Sequence, residues 1–297
     1  MKVLIGVDGS AASFDAVRMA AKLVHPAVDE VAIYFSPSDI HKKLAGRASG
    51  VVEDLTRSIF EEARSLLPKD FIAEVHVIAS SKPPAIGILE AADGWKADLI
   101  VIGARGLGSI ERLLLGSVSR AVVHGAQLPV LVVRGQPAAE GRPFRVLACH
   151  HPASAKALSA ISAKLRWPPG TDARVVGVAE PMLAGPLPDW LEKRARDPET
   201  AAIAKAWAKE HDDEVAAIGS RLADFQQTLP PEFREHAPIV REGNPGEQIL
   251  ECGKADGTDL VILGRTPTDA LSRWLIGSTS EAVLTHSTAS VLLVPVR

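Results

Sequence analysis

From Val101 to Ser117 the chain reads Val-Ile-Gly-Ala-Arg-Gly-Leu-Gly-Ser-Ile-Glu-Arg-Leu-Leu-Leu-Gly-Ser, residue types that suit an anion. Glycines at 103, 106 and 108 let the backbone come close to a ligand and take positive φ. Gly116-Ser117 opens a helix whose free N–H groups and positive dipole end attract negative charge. The same loop would also serve as a tight turn that packs a helix against a sheet, and taken alone it admits both readings. Asp8 is the second anchor. It follows an apolar run, Lys2 to Val7, and precedes Gly9-Ser10, so its carboxylate can accept hydrogen bonds from a ligand, cap the next helix or serve the turn.

The elements that must position these groups follow from periodicity. Lys2 to Val7, Val31 to Ser36, Phe71 to Ala79, Asp98 to Gly103 and Pro129 to Arg134 read as strands. Helical patterns lie between them, through Ala12, Ala16, Met19, Ala20 and Leu23, through Val52, Leu55, Ile59 and Ala63 to Pro68, after Pro83-Pro84, and from Gly116 to Gly125. Alternating strands and helices imply an α/β fold, a parallel sheet with right-handed crossovers and helices on both faces. Gly135 to Pro143 is linker composition, and the pattern then restarts.

Val146-Leu147 matches Val3-Leu4 at an offset of 143, whereas Gly264 matches Gly103 and Gly277-Ser278 matches Gly116-Ser117 at an offset of 161, so about eighteen residues are inserted in the second copy, placed at 181–200. A repeat of this length is a duplicated domain rather than a solenoid. Its strands are expected at Val146-Leu147, Arg174 to Ala179, Pro238 to Arg241, Asp259 to Gly264 and Ser290 to Val296, with a long helix from Ala201 to Leu229. The domains are then 1–135 and 144–297, joined by 136–143.

In such a sheet, ligands bind outside the carboxyl ends of the strands where strand order reverses. With order 3-2-1-4-5, that crevice lies between strands one and four, and it receives both Asp8 and Gly103. Gly103-x-x-Gly106, nine residues, then Gly116-Ser117, with Val3-Leu4-Ile5-Gly6-Val7-Asp8-Gly9-Ser10 before and Pro129-Val130-Leu131-Val132-Val133 after, resembles a universal stress protein domain across nearly all of residues 1 to 135. The resemblance implies two Rossmann-like domains of the adenine-nucleotide alpha hydrolase type, each a five-stranded parallel sheet. It also implies pairing of domains through edge strands, within the chain or as a homodimer, and ATP in the crevice, with or without Mg²⁺. Carried over, Val7 and Asp8 would sit by the adenosine, Ser36 by adenine through its backbone, Ile102, Gly103 and Gly106 along ribose and phosphates, and Gly116, Ser117 and Val118 at the phosphates.

The second copy keeps Gly264 and Gly277-Ser278, which mark a weaker second site. It has Pro267 for the second loop glycine and His151 for Asp8. Proline removes a donor and fixes φ. This domain reads as a pseudo-symmetric partner or as the seat of another ligand. His150-His151, placed on a strand, would point to opposite faces and not share a metal. Arg112 and Arg273 are repeat-equivalent loop arginines that would be solvated or reach a phosphate, Trp190 and Trp274 would cover apolar surface or stack on a ligand, and Lys209 to Glu214 reads as an exposed helix face.

With 297 residues, 46% of them hydrophobic, the chain can build two cores. A net charge of −3 with interspersed signs points to neither nucleic acid nor membrane. No run approaches the ~20 apolar residues of a membrane span, and no signal peptide opens the chain, so the expected location is the cytoplasm. Only Cys149 and Cys252 occur, read as unpaired thiols. No Walker-type Gly-Lys-Ser/Thr, Mg²⁺-holding acidic cluster or recognisable nucleophile accompanies the loop. A nucleotide-binding regulatory module is therefore the first expectation, with a slow ATPase or nucleotidyl-transfer enzyme, or a scaffold for a non-nucleotide ligand, as alternatives.

Overall fold

A parallel strand covered by helices on both faces must be apolar on both, and β1 (Lys2–Val7) is buried from Val3 to Val7. The computed structural model describes residues 1–38, 49–72, 74–106, 115–136, 141–179, 198–265 and 277–296. Gly108, Arg112, Trp190, Pro267, Arg273, Trp274 and most of the expected insertion, 181–197, lie outside them.

After β1, the first half runs α1 (Ala11–Leu23), β2 (Glu30–Phe35), α2 (Ser49–Ser65), β3 (Val75–Ala79), α3 (Pro84–Trp95), β4 (Leu99–Gly103), α4 (Ser117–Gly125) and β5 (Val130–Val133). The second half runs β6 (Arg145–Cys149), α5 (Ala155–Ser162), β7 (Asp172–Ala179), α6 (Pro198–Gln227), a 3₁₀ turn (Pro231–Arg234), β8 (Ile239–Glu242), α7 (Pro245–Ala255), β9 (Leu260–Arg265), α8 (Ser278–His286) and β10 (Ser290–Pro295).

Within each half, neighbouring strands are parallel and the order is the predicted 3-2-1-4-5. The two five-stranded sheets are not separate. β5 pairs antiparallel with β10, Val132 opposite Val291 and Leu131 opposite Leu292, so all ten strands form one sheet in the order β3-β2-β1-β4-β5-β10-β9-β6-β7-β8. Each face carries one continuous apolar layer across this seam. One layer takes Val17 of α1, Ala63 of α2, Leu158 of α5 and Phe225 of α6. The other takes Ile88 of α3, Val122 of α4, Ile249 of α7 and Val283 of α8.

Three boundaries differ from expectation for identifiable reasons. β3 starts at Val75 rather than Phe71, because the Phe71 amide bonds Pro68 O and the Ile72 amide bonds Pro26 O, which removes both from the ladder. α6 starts at Pro198, where proline loses no intrahelical bond, so the last part of the expected insertion is helix. β6 stops at Cys149, which leaves His150 and His151 in the loop beyond it. The run 209–214 is exposed except at His211, half-buried, whose Nε2 lies 3.4 Å from Glu242 Oε1 of β8.

Candidate nucleotide crevice

β1 and β4 lie side by side with Gly6 opposite Ile102, and strand order reverses between them. The floor is set by Gly103. A Cβ there would stand 2.6 Å from Ala12 O and 2.7 Å from its carbonyl carbon, so only glycine lets the start of α1 cross the end of β4 so closely. The start of α4 is tied to the same strand end. Ser119 Oγ donates to Gly103 O over 2.7 Å in a buried contact, and the Gly116 amide donates to Ala104 O over 2.8 Å.

Gly116 is the N-cap of α4 in extended conformation, and no side chain caps it. The opening N–H groups of a helix have no intrahelical acceptor and face outward along the axis. Ser117 is exposed and Val118 half-buried at this start.

Asp8 closes the other side. Its Oδ1 accepts the Ser10 amide at 2.9 Å and Ser10 Oγ at 2.5 Å, while Ser10, not Asp8, is the N-cap of α1 and takes the Ser13 amide at 3.2 Å. Oδ2 faces the loop after β4, since a Cβ on Gly106 would come within 2.3 Å of it. Glycine at 106 therefore makes room for the carboxylate, and two residues distant in sequence meet across the crevice. Val7 and Ile102, both buried, lie at the ends of the adjoining strands. Ser36 Oγ donates to Lys82 O over 2.5 Å, so its side chain ties the end of β2 to the segment before α3.

The second half repeats the main-chain arrangement with other side chains. Ser280 Oγ donates to Gly264 O over 2.9 Å, and Gly277 is an N-cap without a side-chain bond. A Cβ on Gly264 would lie 2.2 Å from Ser154 Cβ. His150 and His151 take the places of Val7 and Asp8. Expected on a strand, both lie instead just past its end, and both are among the residues that line a cleft of about 230 Å³ with Cys149, Val176, Ile249, Leu263 and Ser278. The described residues lining that cleft include no carboxylate. A larger hollow of about 450 Å³ lies beside it between α7 and α8. The His150 ring packs 5.0 Å from that of Phe225, and burial, with His151 and Arg221 nearby, pushes its pKa below the usual histidine range.

Cys149 and Cys252 are free and buried in the same apolar layer, and burial pushes the Cys149 thiol pKa far up. Among the described residues no group of three or more His, Cys, Asp and Glu is placed to hold a metal ion. Nor, among them, is any helix long and apolar enough to cross a membrane. The reading of the sequence missed two arginines, Arg134 and Arg265, which are buried at the seam between the halves. The available signal was a long cation at 265 where the first copy has Ala104.

The profile of the universal stress protein family matches residues 1–134 and again 146–295. A universal stress protein of Mycolicibacterium smegmatis is 28% identical over 306 aligned residues that cover 98% of this chain and 96% of the relative. One from Methanocaldococcus jannaschii is 35% identical over 140 residues, 45% of this chain and 81% of its own. In overall fold the chain resembles the crystal structure of a universal stress protein from Archaeoglobus fulgidus, with a TM-score of 0.58 at 18% identity over 99% of this chain and 96% of that one.

Proposed function

The chain belongs to the universal stress protein family, and from that premise we propose that its first half binds an adenine nucleotide, ATP foremost, and acts as a nucleotide-responsive regulatory module of the cytoplasm. The observation that carries this reading is the meeting of Asp8 with Gly106 beside the uncapped start of α4. A carboxylate is a fit acceptor for ribose hydroxyls. Helix-start amides with the Ser117 hydroxyl are fit donors to phosphate oxygens. The nucleotide supplies the negative charge that those amides lack. Val7, Ile102 and the end of β2 at Ser36 offer the wall beside it, and Gly103 keeps α1 and β4 close enough for the crevice to exist. The built-in pairing of β5 with β10 stands in for the dimer of a single-domain relative, although the chain can also associate further.

The test is the identity and stoichiometry of nucleotide released by heat from the purified chain. A Cβ at Gly116 would meet Ala104 O at 3.4 Å, an ordinary contact, so Gly116→Glu should fold while its carboxylate repels phosphate. About one ATP per chain, absent in Gly116→Glu and kept in Gly277→Glu, is the expected result. About two would add a working second crevice, at Gly264, Gly277 and Ser278. None, with no uptake of added ATP, ends the nucleotide reading.

A second reading concerns the other half. Its cleft, lined largely by apolar side chains and with His151 in place of a carboxylate, favours a small non-nucleotide ligand there. A copurifying compound displaced by His151→Asp would support it.

A further inference from the structure

The helices that open the two crevices are each held at their far ends by the opposite half. At the carboxyl end of α4, Arg265 of β9 donates from Nη1 to Val123 O at 2.5 Å and from Nη2 to Ala126 O at 2.6 Å. At the carboxyl end of α8, Arg134, just past β5, donates from Nη2 to Leu284 O at 2.6 Å, and its amide donates to Ser290 Oγ at 3.1 Å. Each arginine is only 9% exposed. The last carbonyls of a helix lack intrahelical partners, and a cation there also complements the dipole.

One acceptor pair is repeat-equivalent, and the donors are not. Val123 and Leu284 correspond at the offset of 161, but Arg265 falls on Ala104, and Arg134 falls on Pro295. Two different positions in the repeat thus supply the same contact, each across the seam. A guanidinium loses hydration when buried, and burial pushes the pKa of both arginines down, with Arg105 adding to the effect at Arg134. Such groups hold position only where their acceptors are fixed.

At its other end α4 is fastened to β4 through Gly116 and Ser119. Those two bonds fix its start, and beyond them α4 is held by packing, with Val122 and Val123 buried in the apolar layer. The Arg265 bonds add to that packing a directed fixing about 9 to 13 Å along the axis, the span from one end of a nine-residue helix to near the other. The exposed pair Arg120 to Glu281, at 2.9 Å, also links α4 to α8, but water weakens it.

We infer that Arg265 is a positioning residue for the anion seat of the first crevice, holding α4 across the seam so that the amides at Ser117 and Val118 stay aimed at the ligand. The second half is then a working part of the first half's site. Because Arg265 follows Gly264 directly, the same residue connects one crevice to the other. The inference rests on the nucleotide reading for its affinity readout and is independent of it for its structural one.

The experiment uses the full chain with Arg265→Met, Arg265→Lys and Arg134→Met. ATP affinity is measured by calorimetry. Exchange of the Gly116 and Arg120 amides, which close the base and first turn of α4, is followed in nucleotide-free protein. Arg265→Met should weaken ATP about tenfold or more and speed exchange at both amides, since small misplacements of a binding group have large effects. Arg265→Lys should recover part of each. Arg134→Met should lower the melting temperature while leaving ATP affinity within about twofold. Equal loss of affinity in both methionine variants, or unchanged affinity and exchange in Arg265→Met, would overturn the inference. If Arg265→Met does not fold, Arg265→Lys against the unaltered chain decides, with faster exchange expected. If the unaltered chain takes up no ATP, the nucleotide reading falls, and exchange alone decides whether Arg265 positions α4.

Discussion

At the first crevice the loop after β1 offers a carboxylate to Gly106, and at the second the matching loop carries His150, its ring packed on Phe225, and His151 beside an apolar cleft. Both crevices have a glycine under the first helix of the half, a serine bonded to that glycine's carbonyl and an uncapped helix start. The shared features are main-chain geometry, and the differing ones include the two side chains at the end of the first strand. A duplicated scaffold therefore keeps its shape through glycine and serine at a few crossings, while its ligand chemistry changes at Val7-Asp8 against His150-His151.

The strongest way to break this comparison is at the crossings. Gly103→Ala places a Cβ against the backbone of Ala12 and should cost about 3 kcal/mol of stability in urea unfolding, with no side-chain change able to relieve it. Gly264→Ala meets a side chain instead, so Gly264→Ala with Ser154→Gly should recover most of the loss that Gly264→Ala alone produces. An equal and unrelieved loss at both would mean that the crossings are not built as described.

Asp8→Ala tests the chemistry rather than the scaffold. It removes the acceptor of two Ser10 bonds and of the proposed ribose hydroxyls, and it should weaken ATP by about 2 kcal/mol in calorimetry. His151→Ala should leave ATP affinity unchanged. A comparable loss from His151→Ala would erase the distinction between the crevices.

Acid should separate the halves more gently. His150 is held below its usual value of 6.5, so the folded chain binds that proton less readily than the unfolded one. Its contribution is present in full above about 6.5 and is lost as pH falls through that value toward the folded one. Asp98, for which burial is outweighed by bonds from Lys164 and the Lys2 amide, is held below 3.8 and titrates in a different window, with stability lost at lower pH still. Urea midpoints at pH 7.5 and 5.5 should therefore converge in His150→Val, where the first half's residue replaces the imidazole. The smallest effect is expected on the surface, where Arg120→Ala removes a pair whose side chains are 46% and 34% exposed and should cost about 0.5 kcal/mol.

Strand and helix order could be read from the sequence because apolar runs such as Val3 to Val7, and proline and glycine breaks such as Pro83-Pro84, are local signals. The glycine crossings and the repeat offset were local in the same sense. The seam was not. Pairing through edge strands was expected from the family resemblance, but nothing in the run Val130 to Val133 itself says that its free edge pairs with Val291 to Leu293, and nothing at Arg265 says that its acceptors lie on a helix 139 to 142 residues away. His150 and His151 misled because an apolar strand is continued by eye past Cys149, whereas the His150 amide bonds Val176 O in the last rung and the chain then turns. For Asp8 the sequence left a ligand role and a cap or turn role open, and the Ser10 contacts show that Ser10, not Asp8, caps the helix.

The joining of β5 to β10 has a consequence for biosynthesis. β10 begins 160 residues after β5, at Ser290 against Val130. At about 5 to 20 residues per second, a ribosome needs on the order of 8 to 32 seconds to make the intervening chain. For that interval the apolar strand Val130–Val133 is a bare edge on an otherwise completable first half, open to any β-strand that reaches it. A chaperone-depleted translation system should therefore yield first-half aggregates that a covalently separate β10 peptide suppresses.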